Sequence, residues 1–198
     1  MSDSFENSEK PNNTDKKISV FMSLVLRHNP KAAGITVDDQ GWADVRELIE
    51  GISKKTGGYM DMETLERIVA ENDKQRYSFN EDRTKIRANQ GHSLPYVTIE
   101  FEECVPPDIL YHGTSRDFLD SIRQKGILKQ KRHHVHLSSD IPTAYKVGKR
   151  HGKPAVLQID TKKMLEDGYT FYLSSNKVWL CEHIGWEYVK DNEIIYTV

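Results

Sequence analysis

Apolar positions near the start of the chain recur at helical spacing: Ile18, Phe21, Met22 and Val25 share one face of a helix beginning at Lys17. Proline disfavours helix at the residue before it, so Asn29-Pro30 ends this helix at Arg27-His28. Asp44 and Glu47 form a capping-box pattern ahead of Val45, Leu48 and Ile49, and Gly51 predicts the end of that second helix. A third helix fits Met62, Leu65, Ile68 and Val69. Two short β-like runs, Arg76–Phe79 and Thr84–Ala88, flank Asn80-Glu81-Asp82-Arg83 and predict a hairpin. Three helices followed by a hairpin predict a winged-helix-like lobe.

Pro106-Pro107 marks a boundary, since two consecutive prolines neither continue a helix nor donate to a ladder. Beyond it the pattern predicts strand Ile109–His112, helix Ser115–Lys125 closed by Gly126, strand His134–Ser138, helix Asp140–Arg150 and strand Ala155–Ile159. A short helix near Lys162–Glu166 follows, then β-rich segments around Phe171–Leu173, Val178–Leu180, Glu187–Val189 and Ile194–Tyr196. The absence of strict βαβ alternation makes the class α+β. The predicted organisation is a disordered tail over residues 1–16, a first lobe over 17–105 and a second over 106–198.

Composition narrows the setting. The 198 residues carry 28 Lys+Arg against 30 Asp+Glu, and mean hydropathy is −0.67. No apolar run reaches a membrane span, no signal peptide opens the chain, and the two cysteines, Cys104 and Cys181, form neither a disulfide framework nor a thiolate zinc knuckle. A monomer in a reducing cytoplasm is the expectation. The near-zero sum conceals an asymmetry: residues 1–105 hold 14 basic and 19 acidic side chains, residues 106–198 hold 14 and 11. Between Arg123 and Lys153, nine Lys/Arg and four histidines face one acid, Asp140. On charge alone a solvated face is the preferred reading of such a stretch over an anion site.

Several common chemistries are excluded by motif: there is no Walker-type phosphate loop, G-x-G-x-x-G, G-x-S-x-G or H-E-x-x-H. Four segments remain. Tyr111-His112-Gly113-Thr114 sits where the pattern runs from strand into helix, so the glycine would let a ligand approach while His and Thr offer hydrogen bonds; taken alone, the tetrapeptide is better read as a structural His beside a helix cap. In Arg132–Ser138, strand alternation would place Arg132, His134 and His136 on one face as an anion-binding strip. A His-x-His metal site lacks a third ligand and has a repelling Arg beside it, so no metal is expected. Arg27-His28 at a helix C-terminus is, taken alone, explained better by the helix dipole than by binding. In the run from Lys85 to Ser93, Lys85 and Arg87 share the strand face opposite Ile86 and Ala88. Such a basic face holds phosphate or is an ordinary wet wing.

Together and in order, Ser23–Pro30, Gly41–Asp44, Ile86–Ser93, Leu110–Thr114, Arg132–Ser138 and Val178–Leu180 resemble the RNA 2′-phosphotransferases, the KptA family, from about Ile18 to Tyr188. The resemblance implies a winged-helix-like N-terminal lobe and an ADP-ribosyltransferase-like, NAD-binding C-terminal lobe. It implies a catalytic tetrad at Arg27, His28, Arg87 and Arg132. It also implies NAD contacts at His112, Gly113, Thr114, His136 and Ser138, with Val178 where related transferases often carry glutamate.

The implied reaction has two steps: the RNA 2′-phosphate attacks the ribosyl carbon of NAD and expels nicotinamide, then the adjacent ribose hydroxyl attacks phosphorus. RNA leaves with a free 2′-OH, together with ADP-ribose 1″,2″-cyclic phosphate. The implied partner is a 2′-phosphorylated, tRNA-like RNA from splicing. One rival is an ADP-ribosyltransferase that caps terminal phosphates of nucleic acids. Another is a non-catalytic nucleic-acid binder built on the first lobe, against which that lobe's acidic balance argues.

Overall fold

The computed structural model describes residues 13–72 and 74–197, and it divides into two compact units. The first comprises the described residues through Asn89 together with Leu94–Thr98; the second comprises Gln90–Ser93 and the chain from Ile99 onward, so it takes in residues ahead of Pro106-Pro107. The architecture is α+β, with six α-helices among small antiparallel sheets in the described residues.

In the first unit, helix α1 (Asn13–Arg27) starts earlier than Lys17, so residues 13–16 are helical, while the rest of the predicted tail lies outside the described residues. Its Met22, Val25 and Leu26 are fully buried, as are Leu48, Ile52, Leu65 and Ile86 of the same unit. Strand β1 (Trp42–Asp44), too short for periodicity to reveal, leads into helix α2 (Val45–Thr56). The Asp44 carboxylate accepts from the N–H groups of Arg46 (2.8 Å) and Glu47 (3.0 Å), as an N-cap should.

Gly51 does not end α2: the helix runs to Thr56 and stops at Gly57, whose φ of 69° closes it. A Cβ at Gly51 would lie 2.2 Å from the Ala33 carbonyl oxygen, so this glycine serves the close approach of the 3-10 turn Pro30–Ala33. Helix α3 (Met62–Ala70) is capped by Asp61. Strands β2 (Tyr77–Phe79) and β3 (Lys85–Ala88) form the predicted hairpin, and β1 adds to its other side in the order β1-β3-β2.

The second unit opens with β4 (Glu102–Glu103), β5 (Ile109–Ser115), α4 (Leu119–Lys125), β6 (Ile127–Leu128), β7 (Val135–Leu137) and α5 (Ile141–Gly148). It continues through β8 (Pro154–Asp160), α6 (Thr161–Glu166), β9 (Tyr172–Leu173), β10 (Trp179–Cys181) and β11 (His183–Ile184). Strands order as β4-β9-β10-β7, with β5 paired to β8 along its whole length. Tyr111 and Ser138 exchange backbone bonds of 2.9 and 2.8 Å, which join β5 to the edge at β7. Leu110, Leu137, Leu157, Ile159, Met164 and Phe171 are all but fully buried in the core.

Two terminal segments depart from the β pattern. Trp186–Tyr188 is a 3-10 turn, after which Val189 bridges Ile159, and only Ile195 of the last segment bridges the sheet, at Val156. Cys104 and Cys181 are both free thiols; Cys181 is buried in the core and its pKa is pushed up to about 12 by desolvation, with Glu182 adding to it. No helix of the described residues is long and apolar enough to cross a membrane.

Candidate functional site

The residues singled out in the sequence fall in both units: Arg27, His28 and Arg87 in the first, and Arg132, His112, Gly113, Thr114, His136, Ser138 and Val178 in the second. Arg27 is the half-buried last residue of α1, and the exposed His28 follows it, its N–H bonded to the Leu24 carbonyl at 2.9 Å. Arg87 sits on the central strand of its sheet, with Trp42 and Ser78 opposite it on either side. Its guanidinium carbon lies 4.4 Å from the centre of the Trp42 ring, a cation–π stack that fixes the plane of the group.

The Arg87 Nε is buried and has no hydrogen-bond partner among the described residues. Desolvation pushes this guanidinium's pKa down, and nearby Asp38, itself bonded by Lys85 at 3.2 Å, opposes the shift. A half-buried arginine held by its stem and ring, with a donor unanswered, has the chemistry of an anion site.

In the second unit, His112-Gly113-Thr114 lies inside β5 rather than at a strand-to-helix junction, because pairing with β8 continues to Ser115 opposite Pro154. The helix expected from Ser115 begins instead as a 3-10 turn, Arg116–Phe118, capped by the Ser115 hydroxyl. The bare α-carbon of Gly113 serves packing: a Cβ there would lie 1.8 Å from the Ala144 carbonyl oxygen of α5. Gly148 answers it from the helix, where a Cβ would lie 2.5 Å from the Thr114 oxygen. Thr114 is accordingly buried.

The strip of Arg132, His134 and His136 does not form on one strand face. Strand β7 begins at Val135; exposed Arg132 lies in the preceding turn, its N–H bonded to Lys129 O at 3.1 Å. His134 is packed edge-on against Phe101 and Tyr172, each ring centre 5.7 Å away. Though exposed overall, Arg132 has its pKa lowered by local desolvation and by Arg150. Ser138 serves the bridge to β5, and half-buried Val178 precedes β10, its N–H donating to the buried Ser174 hydroxyl oxygen at 3.0 Å.

The histidines form the best-defined part of this unit. His112 Nδ1 lies 3.1 Å from the His136 carbonyl oxygen. A carbonyl only accepts, so Nδ1 carries the proton and the neutral ring keeps its Nε2 lone pair for a ligand hydroxyl. Burial is the main force lowering the His112 pKa; Arg132 and His151 add to it, and the bond to His136 opposes it. His136 is tied at both nitrogens, Nδ1 3.0 Å from His134 O and Nε2 2.6 Å from the Gln90 side-chain oxygen. Gln90 lies in the run from Lys85 to Ser93 that the sequence singles out, but nothing local marks its partner. His133, His134 and His136 line a small pocket together with Gly91, His92 and Phe101. Among the described residues no cluster of His, Cys, Asp and Glu is placed to hold a metal ion.

The His112 shift has a sign that can be measured. Its folded pKa is below the ordinary value of 6.5, so the unfolded chain binds the extra proton first as pH falls through that value. Stability is full above the unfolded value and is lost below it, by about 1.4 kcal/mol per pH unit until the folded ring also protonates. Desolvation gives His134 a shift of the same sign. Urea unfolding between pH 8 and 5 is expected to show the loss, and His112→Asn to reduce its slope; an unchanged slope would refute the assignment.

Comparison with known proteins places this geometry in context. Residues 13–183 match the family model described as "RNA 2'-phosphotransferase, Tpt1 / KptA family". A protein of Fusobacterium nucleatum named "Probable RNA 2'-phosphotransferase" is 55% identical over 177 residues, 89% of this chain and 98% of its own length. Proteins of the same name from Flavobacterium johnsoniae and Burkholderia lata are 49% and 45% identical, over 90% and 93% of this chain and 97% and 94% of their own lengths. With a family match across most of its length and relatives covered nearly end to end, the chain belongs to the RNA 2′-phosphotransferase Tpt1/KptA family and is a transferase.

Proposed function

We propose that this transferase removes an internal 2′-phosphate from RNA with NAD as the consumed co-substrate. Family membership supports the substrate class, and Arg87 is the structural observation that carries the phosphate reading: a stacked, half-buried guanidinium whose buried Nε has no partner among the described residues. On this reading the first unit is a winged-helix-like lobe and the second an ADP-ribosyltransferase-like NAD lobe, and the enzyme works as a cytoplasmic monomer on tRNA-like RNA from splicing.

The residues fit NAD at His112, which offers a neutral ring nitrogen of fixed tautomer; His136, tied at both nitrogens to His134 and Gln90, would meet it with the ring rather than with a nitrogen. NAD supplies the ribosyl carbon from which the 2′-phosphate displaces nicotinamide, and then the adjacent hydroxyl that attacks phosphorus, leaving 2′-OH RNA and ADP-ribose 1″,2″-cyclic phosphate. The side chains do the rest. Arg27, Arg87 and Arg132 hold the phosphate oxygens by charge-assisted bonds and stabilise charge that builds up at phosphorus. His28 orients the phosphate or moves a proton in the second step. His112, Thr114, His136 and Ser138 orient the ribose and amide of NAD, with the Gly113 backbone and Val178 beside them. Val178 suffices where related transferases carry glutamate, because a phosphomonoester bearing close to two negative charges needs no base to activate it.

The deciding experiment mixes the enzyme, NAD and an oligonucleotide with one internal 2′-phosphate and follows products by mass spectrometry. Nicotinamide, 2′-OH oligonucleotide and the cyclic phosphate are expected in equal amounts. If the internal phosphate persists while a terminally phosphorylated oligonucleotide gains a stable ADP-ribosyl cap, the capping activity replaces this reading.

A further inference from the structure

We infer that Gln90 is a positioning residue for His136, an amide clamp that holds the imidazole in one orientation whether the ring is neutral or charged; the consequence for NAD rests on the function proposed above. The observation is a 2.6 Å contact between Gln90 Oε1 and His136 Nε2, made across 46 positions of sequence. Gln90 is part of the short segment Gln90–Ser93 that belongs to the second unit although its flanking residues belong to the first.

The other nitrogen of the ring sets the chemistry. His136 Nδ1 lies 3.0 Å from the His134 carbonyl oxygen, which can only accept, so Nδ1 always carries a proton. The neutral ring then presents a lone pair at Nε2, and the imidazolium presents an N–H. A carboxylate in place of Gln90 would suit only the imidazolium, and a lysine only the neutral ring. A primary amide suits both, because turning its plane over exchanges the oxygen acceptor for an NH2 donor of nearly the same size. The ring is therefore anchored at both ends in either state. Its backbone carbonyl in turn receives the His112 Nδ1–H at 3.1 Å, so the clamp on His136 also steadies the acceptor that fixes the His112 tautomer.

A merely structural glutamine would not need this reversibility, and that difference is testable. The full-length protein is labelled with 15N-histidine, and the His136 signal is assigned by its loss in His136→Asn. Long-range 1H–15N spectra then report ring tautomer and mobility, and calorimetry without RNA reports NAD affinity. Gln90→Leu is expected to remove the Nε2 hydrogen-bond signature of His136 and to weaken NAD binding about tenfold, the worth of one ordering hydrogen bond. In turnover this appears as a raised KM for NAD with kcat changed less. Gln90→Glu keeps the same stem and an acceptor. Its carboxylate favours the imidazolium, so the His136 titration followed by the same spectra is expected to move to higher pH than in the parent.

An unaltered His136 spectrum in Gln90→Leu overturns the inference, as does a His136 titration in Gln90→Glu that coincides with the parent's. If the parent protein binds no NAD, the function proposed above falls, while the imidazole spectra still decide whether Gln90 positions His136. Circular dichroism melting verifies that each variant is folded, and should Gln90→Leu be unfolded, Gln90→Glu alone decides.

Discussion

Arg87→Met is expected to reduce phosphate removal by about 10²- to 10⁴-fold while leaving the protein folded and stable to within about 1 kcal/mol. The activity estimate follows from the loss of two charge-assisted hydrogen bonds to one phosphate, each worth about 1.5–3 kcal/mol. The stability estimate follows from the same geometry seen from the other side. A guanidinium whose Nε is buried without a partner among the described residues has given up solvation that the native fold does not return. Methionine of similar length keeps contact with Trp42 and carries no charge to desolvate. It loses the cation–π stack, a smaller term that partly offsets the gain. Arg87→Lys keeps the charge but not the planar fork or the stack, so it should recover only part of the activity. Single-turnover assays with a 2′-phosphorylated oligonucleotide, beside urea unfolding of each variant, check both halves. A strongly destabilised Arg87→Met with proportionate loss of activity would make Arg87 a structural residue.

Gly113→Ala should carry the largest stability effect in the second unit, a loss of about 3 kcal/mol or more. The added methyl would stand 1.8 Å from the Ala144 carbonyl oxygen, 2.7 Å from its carbon and 3.0 Å from the Gly148 nitrogen. All three are backbone atoms, so no side chain can swing aside; α5 must move off β5. For a chain of this size the loss corresponds to about 6–12 °C in melting temperature. Activity should fall with the folded fraction, and what remains should show an unchanged KM for RNA. A fully stable Gly113→Ala that failed only in NAD binding would return Gly113 to the role a ligand-approach glycine would have.

What could be read from the sequence was whatever local chemistry decides. The stop at Asn29-Pro30, the N-cap at Asp44 and the hairpin around residues 80–83 depend on neighbours in the chain, and all three appear in the structure. What was misread depends on partners far away. Gly51 looks like a stop until the turn at Ala33 is seen to occupy the space of its missing side chain. β1 exists because three residues pair with β3, and the extension of β5 to Ser115 because β8 runs beside it. The histidine segment has a clear alternation, yet its strand starts only at Val135, where the pairing with Cys181 of β10 begins. That leaves Arg132 in a turn and His134 among aromatic rings. Candidate residues were legible by type and order; their hydrogen bonds, above all the one from Gln90 to His136, were not.

The two-residue strand β4 bears on self-association. It is the outermost strand of its sheet, and both of its residues, Glu102 and Glu103, are exposed. An incoming strand from a second copy would find only a short stretch of ladder, two carboxylates beside it, and then the rigid Pro106-Pro107 pair, which offers no N–H to extend the pairing. The margin of the sheet that carries His136 is thus guarded against edge-to-edge aggregation by repulsion and brevity.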